Sequence, residues 1–191
     1  MAHTLRIQVL LAALAALLAA LTLGALNAPV AHAKADCPGA GKSPNQLRSG
    51  QARDAVLCLV NKQRRHHDLG RLHRDRKLQR AAMRHNRVMV SKRCFSHQCS
   101  GEPSLEGRLR QVSYLRSGLS RYAYSENIAW GGGELGTAFK IVKAWMHSPP
   151  HRAAILSRTY REAGIGFHDK APGRVGYSAG TYTIDFGLAR G

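Results

Sequence analysis

Apolar residues recur at helical spacing in three segments of the chain. Within residues 52–60, 78–89 and 138–146, apolar side chains stand three or four positions apart, which places them on one face of a helix. The pattern therefore predicts three amphipathic helices. The first is expected to end near Asp68 to Gly70, where a glycine can take the left-handed cap, and Asp75 is expected to cap the second. The apolar face of the second helix also carries His85, which we interpret as a hydrogen-bonded core histidine.

Strand patterns follow in the second half of the chain. Residues 122–130 alternate well enough to form a strand that ends in a turn at the glycines 131–133. Residues 163–168 and 177–186 predict an antiparallel hairpin, and residues 104–111 predict a short helix. Because helices come first and strands last, the expected fold class is α+β, with a small antiparallel sheet covered by helices.

The stretch AWMHSPPHRAAIL, residues 144–156, fixes a helix boundary. Pro149 and Pro150 disfavour continuation of the helix through Ser148, whereas Ser148 followed by proline is a suitable start for a new helix. His151 then lies in a first helical turn, on a rigid corner where a ligand or proton-transfer group is well presented. The alternative is a solvent-facing surface histidine. Trp145, just before this boundary, is expected in the core, and Trp130 partly exposed.

The N-terminus has the features of an export signal. Residues 7–26 are almost wholly apolar, and AlaHisAla at 31–33 has the small-x-small form of a signal-peptidase site. We therefore predict a cleaved signal peptide at 1–33, an N-terminal arm at 34–49 and one domain at 50–191. An uncleaved membrane anchor is the alternative, because the apolar run is long enough to span a bilayer.

The chain is strongly basic, with 29 lysines and arginines against 11 acidic residues and a formal charge of +18. Such a charge attracts anionic surfaces, which outside a cell are wall polymers, acidic lipids or stray nucleic acid. The basic residues are scattered over predicted helix faces without aromatic interleaving, so we expect solvated surface rather than a specific nucleic-acid site.

Four cysteines in an exported chain indicate two disulfides rather than a metal site. Three pairings are possible. We favour Cys94 with Cys99, which closes a small loop around His97, and Cys37 with Cys58, which ties the arm to the first helix.

Several short motifs occur in an order that is specific as a set. They are LVNKQRR, AAMRHN, FSH within CFSHQC at 94–99, SENIA at 125–129, AW followed by HR and IL at 144–156, GIG, and TIDFG at 183–187. From about residue 52 to 187 the chain resembles the CAP superfamily of cysteine-rich secretory proteins, venom antigens and pathogenesis-related proteins, in its bacterial SCP-like branch. The resemblance implies an α-β-α sandwich and a secreted or cell-surface location.

The resemblance also implies a cleft lined by two histidines and two acidic residues, which binds a divalent cation in several members. By motif position, His97 and His151 match the histidines and Glu126 matches the first glutamate. The second glutamate is missing, because Met146, His147 and Ser148 stand where it is expected. Three ligands, His97, Glu126 and His151, are chemically adequate for zinc with one open position.

Other catalytic chemistries fit less well. His147 and His151 have the spacing of a zinc-protease helix, but the prolines interrupt that helix and no glutamate follows His147. Ser96 beside His97 lacks a nucleophile elbow.

Two hypotheses of function follow. The preferred one is a non-enzymatic extracellular module, expected to be a monomer, that binds a small molecule, a lipid, a divalent metal or an anionic cell-envelope polymer through the cleft of His97, Glu126 and His151. The alternative is a metal-dependent extracellular hydrolase in which Glu126 acts as general base toward a water held by the two histidines.

Overall fold

The computed structural model describes residues Cys37–Gly191. The predicted signal peptide at 1–33 and the start of the predicted arm lie outside these residues. Five α-helices form in the described part: α1 (Ser49–His66), α2 (Arg76–Lys92), α3 (Leu105–Gln111), α4 (Ala138–His147) and α5 (Pro149–Ile155). Short 3-10 helices occupy Pro44–Gln46 and Gly133–Gly136. None of the helices in this part has the length and apolarity needed to cross a membrane.

Four strands form one mixed sheet in the order β1-β3-β4-β2. Their bounds are β1 (His73–Arg74), β2 (Arg121–Gly132), β3 (Glu162–His168) and β4 (Ala179–Arg190). β4 pairs antiparallel with both β2 and β3, which confirms the predicted C-terminal hairpin. The two-residue β1 pairs parallel with β3, so the sheet is mixed rather than wholly antiparallel. β2 is therefore an edge strand of the sheet.

Helices α1, α4 and α5 cover one face of the sheet. The core there contains Trp145, which is 1% exposed and donates its indole N–H to the carbonyl of Ile128 at 3.1 Å. Alternate residues of β4, namely Tyr182, Ile184 and Phe186, point into the same core. The predicted burial of Trp145 and partial exposure of Trp130, at 39%, are both confirmed.

Helix α2 covers the opposite face at very short range. A Cβ at Gly164 would lie 2.0 Å from the backbone N of Gln79, and one at Gly166 would lie 2.5 Å from the carbonyl O of Ala82. The GIG motif is thus explained by the close approach of the helix backbone to β3. Asn86 of α2 also donates to the carbonyl of Thr181 at 2.9 Å. Together these contacts fix α2 over the middle of the sheet.

Three predicted local features differ from the structure. The residue with positive φ after α1 is Asp68, at 52°, because an aspartate also tolerates the left-handed region and Gly70 is not needed for it. β2 continues through Gly132, since the ladder to β4 extends to Ala179, and the chain turns only afterwards. The described part of the arm is not merely tethered by a cysteine, because Ala40 and Leu47 are buried in the core.

Both predicted disulfides are present. Cys37 pairs with Cys58, and Cys94 pairs with Cys99. No cysteine is left free in the part of the chain described. The first bond fastens the arm to α1, and the second closes the loop that contains His97.

Candidate functional site

His97 is the most exposed member of the predicted site. It lies in the Cys94–Cys99 loop directly after α2, and its side chain is 57% exposed. Its Nδ1 lies 2.8 Å from Oε1 of Glu126. A carboxylate accepts and does not donate, so we assign the ring proton to Nδ1. That assignment leaves Nε2 as the nitrogen available to a ligand.

Glu126 lies in the middle of β2, where its side chain is only 2% exposed. Its second oxygen accepts a hydrogen bond from Nη2 of Arg108 at 2.6 Å. Burial by itself raises the pKa of Glu126, but the hydrogen bond from His97 and the charge of Arg108 outweigh it, so the pKa lies below the usual range. Glu126 is therefore an ionised carboxylate with both oxygens engaged by neighbouring side chains.

Arg108, on α3, connects the loop to the interior. It is 4% exposed, and its Nη1 donates to the backbone carbonyl of His97 at 2.9 Å. One guanidinium thus holds both the main chain of His97 and the carboxylate that binds the His97 ring. Arg108 cannot be singled out from the sequence, because nothing in the motif LEGRLRQ distinguishes it from the neighbouring surface arginines.

His85 and Glu102 complete the buried polar network. His85 is fully buried on α2, and its Nδ1 lies 2.9 Å from both carboxylate oxygens of Glu102. Nη1 of Arg108 is also 2.9 Å from that nitrogen. A bare Nδ1 would face the lone pairs of the carboxylate, so we assign Nδ1–H to the bond with Glu102; Nη1 of Arg108, which can only donate, then donates to the carbonyl of His97 and not to this ring. The interpretation of His85 as a hydrogen-bonded core histidine agrees with this arrangement.

Asp185 lies beneath the network. It is directly opposite Glu126 in the β2–β4 ladder and is fully buried. Neither of its oxygens has a donor partner, and two ionised carboxylates cannot hydrogen-bond each other. Burial, followed by the charge of Glu126, raises the pKa of Asp185 well above its usual range. Asp185 is therefore the protonated member of the pair, with its proton available to Glu126. An acid in the middle of the buried segment TIDFG was a usable signal in the sequence.

His151 is the third helical residue of α5, so its predicted place in a first helical turn is confirmed. Its carbonyl accepts a hydrogen bond from the amide of Asn127 at 3.0 Å, which fastens α5 to the edge strand β2. Burial, and then the charge of His97, lower the pKa of His151. His151 is therefore neutral at pH 7.

The donor set of this site does not fit a three-ligand metal centre. One oxygen of Glu126 is bound to His97 and the other to Arg108, so only the two imidazoles remain available to coordinate a metal. Zinc sites use at least three protein ligands. Across residues 37–191, no group of three or more His, Cys, Asp or Glu side chains is placed to hold a metal ion. The imidazoles of His97 and His151 can each offer a ligand a hydrogen bond.

Comparisons with known proteins agree with the architecture. Residues 57–186 match the profile of the cysteine-rich secretory protein family, CAP. The uncharacterized protein YkwD of Bacillus subtilis is 32% identical over 114 residues, which are 59% of this chain and 40% of that protein. The chain thus spans less than half the length of this curated relative.

Two solved structures share the fold. An extracellular protein containing an SCP domain from Bacillus anthracis matches with a TM-score of 0.60 and 24% identity, covering 75% of this chain and 41% of the other. An outer surface protein from Borrelia burgdorferi matches with a TM-score of 0.61 and 15% identity, covering 75% of this chain and 97% of the other. At these identities the likeness concerns the fold.

Proposed function

Because the chain belongs to the cysteine-rich secretory protein (CAP) family, we propose that it is an extracellular binding module that holds a polar ligand at His97 and His151 without catalysing a reaction. A component of the cell envelope is the class of ligand that we infer. The module acts as a monomer and has no specific nucleic-acid site.

The observation that carries this proposal is the environment of Glu126. Its carboxylate is 2% exposed and is fully engaged by His97 and Arg108, so it anchors the His97 ring rather than facing a ligand. A histidine whose Nδ1–H is held by a carboxylate has a fixed tautomer and a fixed ring orientation. The site thus presents Nε2 of His97 in one fixed direction, which favours the binding of a ligand over catalysis.

The hydrolase alternative has less support. A general base must reach the water that it deprotonates, and a base tuned for neutral pH has a raised pKa. Glu126 has a lowered pKa and a buried carboxylate that already accepts two strong hydrogen bonds. His151 is neutral at pH 7 and more accessible, but no described nucleophile or metal-ligating triad accompanies it.

Three observations support an extracellular or cell-surface location. Two disulfides suit an oxidising compartment. The predicted signal peptide at 1–33 suits export. The two solved structures of the same fold are described as an extracellular protein and an outer surface protein.

The test compares the wild type with His97→Ala/His151→Ala, both purified from culture medium. Native mass spectrometry, with separate lipid and glycan analysis, measures what is retained. We expect one stoichiometric component on the wild type that is absent from the double variant and is released chemically unchanged. His66→Ala/His67→Ala is the matched control, because it removes two exposed histidines at the end of α1. Equal retention by all three proteins, or release of a cleaved product, would overturn the proposal.

A further inference from the structure

A second cleft lies at the opposite end of the edge strand from Trp130. It has a volume of about 410 Å³ and is formed where β2 begins, where β4 ends, and by the loop between α5 and β3. Its lining residues are Arg121, Arg158, Thr159, Arg161, Leu188 and Arg190. Four of these six side chains are arginines. Glu126 is five residues along β2 from Arg121, roughly 17 Å at strand spacing, so this cleft is separate from the histidine site.

Three of the four arginines have no acidic partner among residues 37–191. The fourth, Arg190, pairs with Glu162 at 3.4 Å, and the other oxygen of Glu162 accepts a hydrogen bond from the hydroxyl of Tyr114 at 2.6 Å. Within residues 37–191, Arg121 and Arg158 form no ion pair. The cleft therefore carries a positive charge that a bound anion would balance.

The sheet itself holds two of these charges together. Arg121 and Arg190 are directly opposite each other in the β2–β4 ladder. Like charges at directly opposed positions destabilise an antiparallel pair. An anion between the two guanidiniums would convert this repulsion into attraction.

The loop that carries the other two arginines is held rigidly. Nη1 of Arg161 donates to the carbonyls of residues 158, 159 and 160. Beneath it, the buried Arg64 donates to the carbonyls of Ile155 at 2.8 Å and Ser157 at 2.9 Å. Burial, and then the charge of Arg161, lower the pKa of Arg64. A preorganised loop binds with a smaller loss of conformational entropy.

We propose that this arginine cleft is an anion site that binds the phosphate group of a phosphate ester. A phosphate offers several acceptor oxygens and up to two negative charges, and guanidinium forks bind it in a bidentate manner. A carboxylate carries one negative charge, too little to balance the three arginines of the cleft that have no acidic partner. A volume of about 410 Å³ also leaves room for the sugar or polyol that carries the phosphate. This proposal does not depend on the ligand of the histidine site.

The test is a calorimetric titration of the mature protein with glycerol 1-phosphate at about 0.15 M salt, which screens diffuse attraction. We expect one site per chain, weakened about tenfold or more in Arg121→Gln/Arg158→Gln. Neither Arg121 nor Arg158 makes a side-chain hydrogen bond within residues 37–191, so the double variant should fold normally. Far-UV circular dichroism checks this. Arg65→Gln/Arg80→Gln removes the same charge from exposed positions outside the cleft and should bind like the wild type.

Two further arms define the ligand. Inorganic phosphate in competition should displace glycerol 1-phosphate, since the phosphate is the recognised group, and a poly(glycerol phosphate) oligomer that competes would identify a polymer as the source. Glucuronate should compete at least tenfold less well. Absence of saturable binding, equal weakening in both double variants, or equal competition by glucuronate would overturn the assignment.

Discussion

At the scale of single residues, the site depends on charges that are buried and paired. Glu126 remains ionised inside the protein because Arg108 and His97 bind its two oxygens. A buried ion pair is weak evidence of net stabilisation, but removing one partner leaves the other charge unpaired at a large cost. Among the residues of the site, loss of Arg108 should therefore reduce the stability of the protein most.

Arg108→Met should lower the free energy of unfolding by about 3–5 kcal/mol at pH 7, because it leaves Glu126 as an unpaired buried charge. Urea denaturation measures this. Arg110→Met, on the same helix, breaks only an exposed pair with Glu106 and should leave the urea midpoint close to that of the wild type. Adding Glu126→Gln to Arg108→Met should recover part of the loss. Equal costs for the two arginines would refute the buried network.

Asp185→Asn should stabilise the protein at neutral pH. The folded-state pKa of Asp185 is raised, so the native state keeps a proton that the unfolded state loses as pH rises, and the wild type loses stability across that window. Asparagine has no such proton to lose, and its amide can donate to Glu126. The advantage of the variant should be absent near pH 3 and should grow by about 1.4 kcal/mol per pH unit above the unfolded-state pKa. Thermal unfolding of both proteins from pH 3 to 8 measures this difference in stability. If the variant lost stability relative to the wild type between pH 3 and pH 7, the assignment of a protonated Asp185 would be contradicted.

At the scale of elements, the site depends on how closely α2 approaches the sheet. Gly164 and Gly166 allow this approach, and α2 then delivers His85 to the network and leads into the His97 loop. The Cys94–Cys99 bond closes that loop. The two glycines of the GIG motif and the disulfide of the CFSHQC motif thus both determine where His97 lies.

Gly166→Ala should destabilise the fold by about 1–3 kcal/mol or more, because the added Cβ would meet the backbone of Ala82, which cannot move aside alone. Gly173→Ala is the matched control, since a Cβ there meets nothing within 4 Å. Urea midpoints distinguish the two. If both variants unfold at the wild-type midpoint, α2 does not contact β3 as described.

Cys94→Ser/Cys99→Ser should cost about 2 kcal/mol, as expected for so short a ring. The larger effect should be local, with faster amide hydrogen exchange at residues 95–98 and unchanged exchange in α1, where Cys37–Cys58 remains. Uniform acceleration in both regions, or none in the loop, would show that the bond does not fix the position of His97.

At the scale of the whole molecule, the main elements of the fold and part of the site could be predicted from the sequence. Helical and strand periodicity predicted the main elements, because each buries one face and the pattern is local. The family resemblance supplied the sandwich and pointed to residues 97, 126 and 151. Arg108 could not be predicted from local pattern, because its environment arises only when α3 meets β2. An acid within the buried segment TIDFG marked Asp185 as unusual, but its pairing with Glu126 arises only when β4 meets β2. The three-ligand metal hypothesis did not include Arg108, which occupies an oxygen of Glu126.

The central claim is that the fold assembles Glu126 and Arg108 to fix the ring of His97, rather than to bind a metal or act as a base. The direct measurement is the tautomer of His97, read from imidazole ¹⁵N shifts at pH 8 in the wild type and in Glu126→Gln. We predict the Nδ1–H tautomer in the wild type, with a bare Nε2, and a shift toward a mixture in Glu126→Gln as the charged acceptor is lost. A wild-type Nε2–H tautomer, or identical spectra in the two proteins, would contradict the account.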